Sequence, residues 1–165
     1  MGATGIVVPH VSTKAAAEQA ATSAKYGPIG YRGMAAGRQS YGVTDYYRQA
    51  NAETLVVVLI EEMEAVHNLQ DILTVDHIDV FFVAPSDLAQ TMGYTGQPTH
   101  PEVLAVVDRC LAQIVAAGKV PGHLGNEDTV ESYMEKGVRF FLTSWQPWVA
   151  RGASQYLSKI VAKGG

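Results

Sequence analysis

The sequence has a single cysteine, Cys110, which excludes an intrachain disulfide and a metal site built from several thiolates. Aliphatic residues surround Cys110 at helical spacing, so we expect a buried helical thiol rather than a nucleophile. Basic residues are also few: the 12 lysines and arginines are scattered, and the formal net charge is -4. Without a basic run or interleaved aromatic residues, the sequence gives no electrostatic basis for binding DNA or RNA.

Long hydrophobic runs are absent too. The longest, such as residues 55–60, are far shorter than the roughly 20 residues that a membrane-spanning helix needs. The first residues show no basic segment followed by a long apolar one. We therefore expect a cytoplasmic protein with no membrane partner. No glycine-rich phosphate loop followed by Lys and Ser or Thr occurs, which leaves a nucleotide function unsupported.

The chain alternates short β-branched runs with segments of helical period. Strands are predicted at 5–8, 55–60, 78–83, 138–142 and, more weakly, 119–123. Helices are predicted at 12–26, 101–117, 127–136 and 147–161, with Gly118 and Gly137 as natural stops. The strand runs are continuously apolar, which is typical of strands covered on both faces. The sequence therefore predicts one α/β domain, residues 1–165, with about five parallel βα units.

Two carboxylates follow consecutive predicted strands. Glu61 comes directly after residues 55–60, and Asp87 comes soon after residues 78–83. The carboxyl ends of parallel strands share one edge, where βα proteins bind ligands, and neighbouring strands lie about 4.8 Å apart. Glu61 and Asp87 are therefore candidate ligands of one hard divalent cation, Mg2+ or Mn2+. The alternative is a helix N-cap for Asp87 and a helix-dipole partner in a first turn for Glu61 or Glu62.

Several segments occur in an order that carries further information. They are GATGIVVP at 2–9, YGPIGYRG at 26–33, IE at 60–61 with Ala65 and Asn68, PSDL at 85–88 followed by MG at 92–93, and HPEV at 100–103. Together they resemble the metal-dependent class II pyruvate aldolases of the HpcH/HpaI aldolase and citrate lyase family, over nearly the whole chain. The resemblance implies a TIM (β/α)8-type barrel and makes Glu61 and Asp87 the two protein ligands of the metal.

The resemblance also implies a reaction and its partners. The family interconverts a 4-hydroxy-2-oxo acid with pyruvate and an aldehyde, through a pyruvate enolate, so a 2-oxo acid and an aldehyde are the expected substrates. Pro9, Ala84, Pro85 and Ser86 match positions that line the substrate site, and Ala84 stands where many relatives carry glycine.

In the family, an acid-base histidine and a pyruvate-holding arginine belong to three βα units that precede the glycine-rich strand. We expect this chain to be a partial barrel that lacks those N-terminal units, with weakened activity. Arg32, in the GYRG segment, is the nearest cation by motif and is a candidate catalytic residue. Its alternative role is a loop-fixing ion pair.

Two histidines are candidate catalytic residues. His10 and His123 both fall at strand ends, so each is a candidate base or further ligand, with a hydrogen-bonded loop histidine as the alternative. A hydrolase that uses the same face, through a serine or an activated water, remains the enzymatic alternative, although Ser86 and Ser144 lack a G-x-S-x-G elbow. The third possibility is a catalytically silent oligomeric barrel fragment.

Five parallel strands do not close a barrel, so both edges of the sheet are expected to be open. Self-association is the simplest way to cover them, and we expect a homo-oligomer. The helix predicted at 147–161 is a candidate for exchange between copies. Trp145 and Trp148 would serve as apolar anchors that pack the start of this helix against a neighbour.

Overall fold

A five-stranded parallel sheet forms the centre of the computed structural model, which describes residues 3–35 and 37–161. The strands are β1 (Gly5–Val8), β2 (Leu55–Ile60), β3 (Val80–Val83), β4 (Pro121–Leu124) and β5 (Phe140–Leu142), and they follow one another across the sheet in chain order. Each strand pairs in parallel with the next. The sheet is an open half-barrel, which confirms the predicted α/β fold of five parallel units.

Helices connect the strands and cover the sheet. They are α1 (Lys14–Ala24), α2 (Tyr46–Glu53), α3 (Met63–His67), α4 (Leu69–Ile72), α5 (Pro85–Thr91), α6 (Pro101–Ala116), α7 (Val130–Glu135) and α8 (Gln146–Val161), with a 3-10 turn at Arg38–Ser40. As predicted, Pro101 stands in the first turn of α6. Gly118 and Gly137 follow α6 and α7 with φ of 70° and 94°, a conformation in which glycine readily ends a helix.

The start of α7 differs from the predicted helix at 127–136. Oδ1 of Asn126 accepts hydrogen bonds from the backbone N–H groups of Asp128 and Thr129, at 2.9 and 3.0 Å. This side-chain turn occupies the residues before the helix, so α7 begins only at Val130.

Helix α2 was not predicted, because its sequence lacks an apolar helical period. It is held by polar contacts with the segment after α1. Asn51 exchanges two hydrogen bonds with the backbone of Tyr26, at 2.6 and 2.9 Å. The buried Lys25 donates from Nζ to the carbonyl oxygens of Asn51 and Thr54, at 2.8 and 2.6 Å. The cation thus satisfies carbonyl groups at the C-terminal end of α2.

The core lies on both faces of the central strands. Alternate side chains of the sheet point into the larger cluster beneath the helices: Val56, Val58, Ile60, Phe81 and Val83. The intervening ones form a smaller cluster on the other face: Val57, Val80 and Phe82, with Leu59, Ala84 and Phe140. This confirms burial on both sides for the runs of β2 and β3, whereas the runs of β1 and β5 are exposed or half-buried. Cys110 is fully buried in α6, also as predicted.

The edges of the sheet and α8 expose apolar side chains. On β1, Ile6 and Val7 are 40% and 56% exposed. Trp145 and Trp148 are 61% and 48% exposed in the single chain, so the expectation that they pack the start of α8 against a neighbour stays a prediction. Among residues 3–35 and 37–161, no helix combines the length and hydropathy needed to cross a lipid bilayer.

Candidate functional site

The carboxyl ends of β2 and β3 bring the two predicted metal ligands to one edge of the sheet. Ile60 of β2 pairs with Val83 of β3, and the chain continues into Glu61 on one strand and towards α5 on the other. Glu61 is buried, with 3% of its surface exposed, whereas Asp87 is exposed in the first turn of α5. Ala84 holds the N-cap position of α5, so the alternative that Asp87 caps this helix is wrong.

The loop after β1 closes over Glu61. The backbone N–H of His10 donates to Oε1 of Glu61 at 2.8 Å, across 51 residues of sequence. The ring of His10 lies 3.0 Å from Oε1 of Glu62, measured from Nδ1, and 3.4 Å from Oε1 of Glu61. His10 adopts a φ of 56°, in the left-handed region that few residues other than glycine populate.

Glu62 completes the attachment of this loop. Ser12 donates from Oγ to Oε2 of Glu62 at 2.5 Å, while Asn68 donates from Nδ2 to the carbonyl oxygen of Ser12 at 2.8 Å. The sequence pattern indicates Glu62 only as a helix-dipole partner and does not predict its hydrogen bond with Ser12. The one signal for this contact was Asn68, which belongs to the motif that follows Glu61.

The carboxyl ends of β2 and β3, which we call the carboxylate edge, carry an excess of negative charge from Glu61, Glu62 and Asp87. The hydrogen bond from Ser12, followed by that of His10, lowers the pKa of Glu62. The hydrogen bond with Glu62 raises the pKa of His10, and the charges of Glu61 and Asp87 act in the same direction. Within the described part of the chain, no lysine or arginine forms an ion pair with Glu61, Glu62 or Asp87.

The donors at this edge fit a hard divalent cation. Carboxylate oxygens are the ligands that Mg2+ and Mn2+ prefer. A buried carboxylate such as Glu61 is costly without a compensating charge. Among the described residues, the group within ion-pair distance of it is the ring of the exposed His10, at 3.4 Å, which is charged only when protonated. No cluster of three or more His, Cys, Asp or Glu side chains arranged for a metal occurs in residues 3–35 and 37–161. A site with two protein ligands leaves positions open for water or substrate.

His123 lies elsewhere on the sheet. It is 2% exposed, and its ring donates from Nδ1 to the carbonyl oxygen of Val83 at 2.7 Å. The ring packs against Tyr133 of α7, with 4.3 Å between ring centroids. Burial lowers the pKa of His123. The structure thus places His123 against the helix layer and does not bring it to Glu61.

A cavity of about 490 Å³ opens beside His123 and the start of α5. Pro85 and Ser86 contribute to its wall, together with apolar side chains that include Leu104, Leu142 and Trp148. Its described lining residues include neither Glu61 nor Asp87. The cavity therefore neighbours the carboxylate edge without containing it.

Arg32 lies near the amino ends of the strands, at the end of the sheet opposite to Glu61 and Asp87. Its guanidinium stacks 4.7 Å from the ring centroid of Tyr26, and Nη1 donates to Oγ1 of Thr54 at 3.4 Å. Thr54 precedes β2 and Glu61 follows it, which separates the two by roughly 20 Å of extended chain. The structure does not bring Arg32 to the carboxylates; it holds the loop through a cation–π contact.

The serines considered for a hydrolase are not paired with a base. Ser144 donates from Oγ to Oε1 of Gln146 at 2.6 Å, and Ser86 is exposed at the start of α5. In the described residues, neither serine forms a hydrogen bond with a histidine. The hydrolase alternative thus gains no nucleophile and base from this geometry.

Comparison with known proteins gives consistent matches over this chain. The sequence profile of the HpcH/HpaI aldolase/citrate lyase family matches residues 1–144. A 4-hydroxy-2-oxo-heptane-1,7-dioate aldolase of Salmonella paratyphi B is 38% identical over 169 residues, which cover 99% of this chain and 64% of the relative. The protein of the same name from Salmonella paratyphi C is 41% identical over 145 residues, or 85% of this chain and 55% of the relative.

The fold is similar to solved structures as well. An HpcH/HpaI aldolase/citrate lyase family protein from Burkholderia cenocepacia superposes with a TM-score of 0.86 at 29% identity, covering 96% of this chain and 65% of that protein. The chain thus spans somewhat less than two thirds of the length of these relatives.

Proposed function

Because the chain belongs to the HpcH/HpaI aldolase/citrate lyase family, we propose that it takes part in divalent-metal-dependent aldol chemistry, cleaving or forming a 4-hydroxy-2-oxo acid. The observation that carries the proposal is the pair Glu61 and Asp87 at one edge of the sheet, with no lysine or arginine paired to them among the described residues. The resemblance of the motifs around Glu61 and Asp87 to those of the family supports this choice of metal ligands.

In this proposal, Glu61 and Asp87 hold Mg2+ or Mn2+. A divalent ion bound there supplies Lewis-acid stabilisation of the negative charge that develops on the 2-oxo acid during cleavage. We assign Pro9, the half-buried Ala84 and the buried Pro85 to the walls of the substrate site in this proposal. Ser86 is exposed next to Asp87 and offers its hydroxyl to a substrate oxygen.

His10 is the candidate for proton transfer. Its Nδ1 is engaged by Glu62, which leaves Nε2 as the nitrogen that holds or moves a proton. The raised pKa of His10 favours its protonated form at the carboxylate edge. Arg32 and His123 take no direct part in this scheme, since one lies at the opposite edge and the other is committed to Val83.

Release of pyruvate tests the proposal. The Salmonella relatives are named for 4-hydroxy-2-oxo-heptane-1,7-dioate, which makes this compound the first substrate to assay. We expect pyruvate release with Mn2+, loss of release with a chelator, and recovery when Mn2+ is returned. Glu64→Ala, on the exposed side of α3, is the matched control for Glu61→Ala. Release that survives the chelator would refute metal dependence, and no release under any condition would favour the silent fragment.

We also propose that the chain forms a homo-oligomer. Helix α8 exposes Val149, Tyr156, Leu157 and Ile160 by 58%, 66%, 57% and 53%. Their spacing puts them on one face of the helix, and an exposed apolar face of this kind is a typical contact surface. A second copy of the chain is the proposed partner, since the open edges of the sheet also favour association.

A further inference from the structure

We infer that His10, besides the proton transfer proposed for its ring, is a positioning residue of the proposed metal site through its backbone N–H. The inference rests on the proposed function, because it concerns how Glu61 is presented to an ion. Glu61 is 3% exposed, and the shorter contact of His10 with its carboxylate is the 2.8 Å hydrogen bond from the backbone N to Oε1, against 3.4 Å from ring Nδ1.

The backbone conformation of His10 is unusual. A φ of 56° is the left-handed conformation, in which a side chain with a Cβ is strained. Histidine tolerates this region better than most residues, and much better than β-branched ones. Such strain persists only where surrounding contacts enforce it. At His10 the loop turns back towards the end of β2, with its N–H on Glu61.

Neighbouring contacts hold the turn in place. Oε2 of Glu62 accepts a hydrogen bond from Oγ of Ser12 at 2.5 Å. Oε1 of Glu62 lies 3.0 Å from Nδ1 of His10. Asn68 fixes the carbonyl group of Ser12. The two consecutive carboxylates at the end of β2 therefore have different roles. Glu62 holds the loop in place, and Glu61 accepts the hydrogen bond from the backbone N–H of His10.

This arrangement fixes the orientation of the Glu61 carboxylate. With Oε1 held by the loop, rotation about the last bond of the side chain is restricted. A carboxylate that is already oriented loses less rotamer entropy when it binds an ion. The ring of His10 is not needed for this effect, since the donor is the main chain and the contacts of Ser12 with Glu62 and Asn68 hold the loop without the ring.

The chain provides a matched control. His77 has a φ of 63°, close to that of His10, and lies before the amino end of β3. The same substitutions at His77 impose the same backbone strain without touching the carboxylates. Any change confined to His10 is therefore specific to the site.

Two substitutions separate the backbone from the ring. His10→Gly removes the ring and adopts the left-handed conformation freely, so Mn2+ affinity should remain near wild type. His10→Val opposes that conformation, and affinity should fall about five- to thirtyfold. His77→Gly and His77→Val should leave the affinity unchanged. Mn2+ binding is followed by electron spin resonance on the folded, purified chain.

Other outcomes overturn the inference. Equal losses in His10→Gly and His10→Val would assign the effect to the ring, and wild-type affinity in both would remove the positioning role. Glu61→Ala separates the two proposals: if it abolishes Mn2+ binding while His10→Val does not weaken it, only this inference fails. If wild type binds no Mn2+, both fail. Without metal, the amide of His10 should exchange slowly in wild type and faster in Glu61→Ala; equal exchange rates would also contradict the inferred contact.

Discussion

The Nδ1–H group of His123 donates a hydrogen bond to the carbonyl oxygen of Val83 at 2.7 Å, which joins β4 to the end of β3. Burial of the ring lowers the pKa of His123 below its ordinary value of 6.5. Since the unfolded chain binds the proton more readily, the folded state is most stable above pH 6.5 and loses stability as the pH falls towards the folded pKa.

We therefore expect His123 to lower the melting temperature as the pH is taken from 7.5 down to 5.5. The loss attributable to His123 is at most about 1.4 kcal/mol per pH unit. His123→Phe removes the titrating group and should flatten this part of the profile, although it also lowers stability at every pH. Parallel profiles for wild type and His123→Phe would contradict the account.

The thiol of Cys110 is expected to be inert in the folded protein. It is fully buried in α6, and burial raises its pKa to about 11. The thiolate is the reactive form, so a disulfide reagent at pH 8 should label Cys110 only after unfolding in guanidinium. Rapid labelling of the native chain would show that α6 opens readily or that the thiol is accessible.

Much of the sheet was predictable from the sequence, because continuous β-branched runs are typical of strands in a parallel sheet. The bounds of β1 and β2 agree with the runs at 5–8 and 55–60. Strand β3 begins later than predicted, at Val80. Asp79 is not part of β3: its Oδ2 accepts the N–H of Val56, at 2.7 Å.

The site was only partly predictable. Strand order alone places Glu61 and Asp87 at one edge, which is a property of any parallel sheet. The contact between His10 and Glu61 spans 51 residues and depends on a left-handed backbone conformation that no local pattern signals. The position of Arg32 depends on the path by which the loop after α1 returns to the amino ends of the strands. The motif around Arg32 does not predict this path.

Self-association through α8 predicts a mass above 17.7 kDa by light scattering at micromolar concentration. Leu157→Glu places a charge on the exposed apolar face and should shift the protein towards the monomer. Gln155→Glu adds the same charge at an exposed polar position of α8 and should not. A well-folded wild-type species at 17.7 kDa would contradict the proposal.

The 165-residue chain on its own should be a slow aldolase. Among its described residues, no arginine or lysine is paired to the carboxylate edge, and Arg32 lies at the opposite edge. Removal of one group that stabilises the negative charge developing in the transition state typically costs about two to three powers of ten in kcat. Steady-state turnover should therefore be lower by about this factor than that of a Salmonella relative. Equal turnover would mean that another group, or another copy of the chain, supplies the charge.

Binding of Mn2+ to wild type, Glu61→Ala and Asp87→Ala, followed by electron spin resonance, tests the central claim most directly. Both carboxylates lie at one edge of the sheet, and each supplies a negative charge for which the described residues offer no lysine or arginine. The account predicts that wild type and the exposed-surface control Glu64→Ala bind one ion per chain with similar affinity, and that either site variant abolishes binding. Unchanged Mn2+ affinity in both site variants would show that Glu61 and Asp87 are not metal ligands.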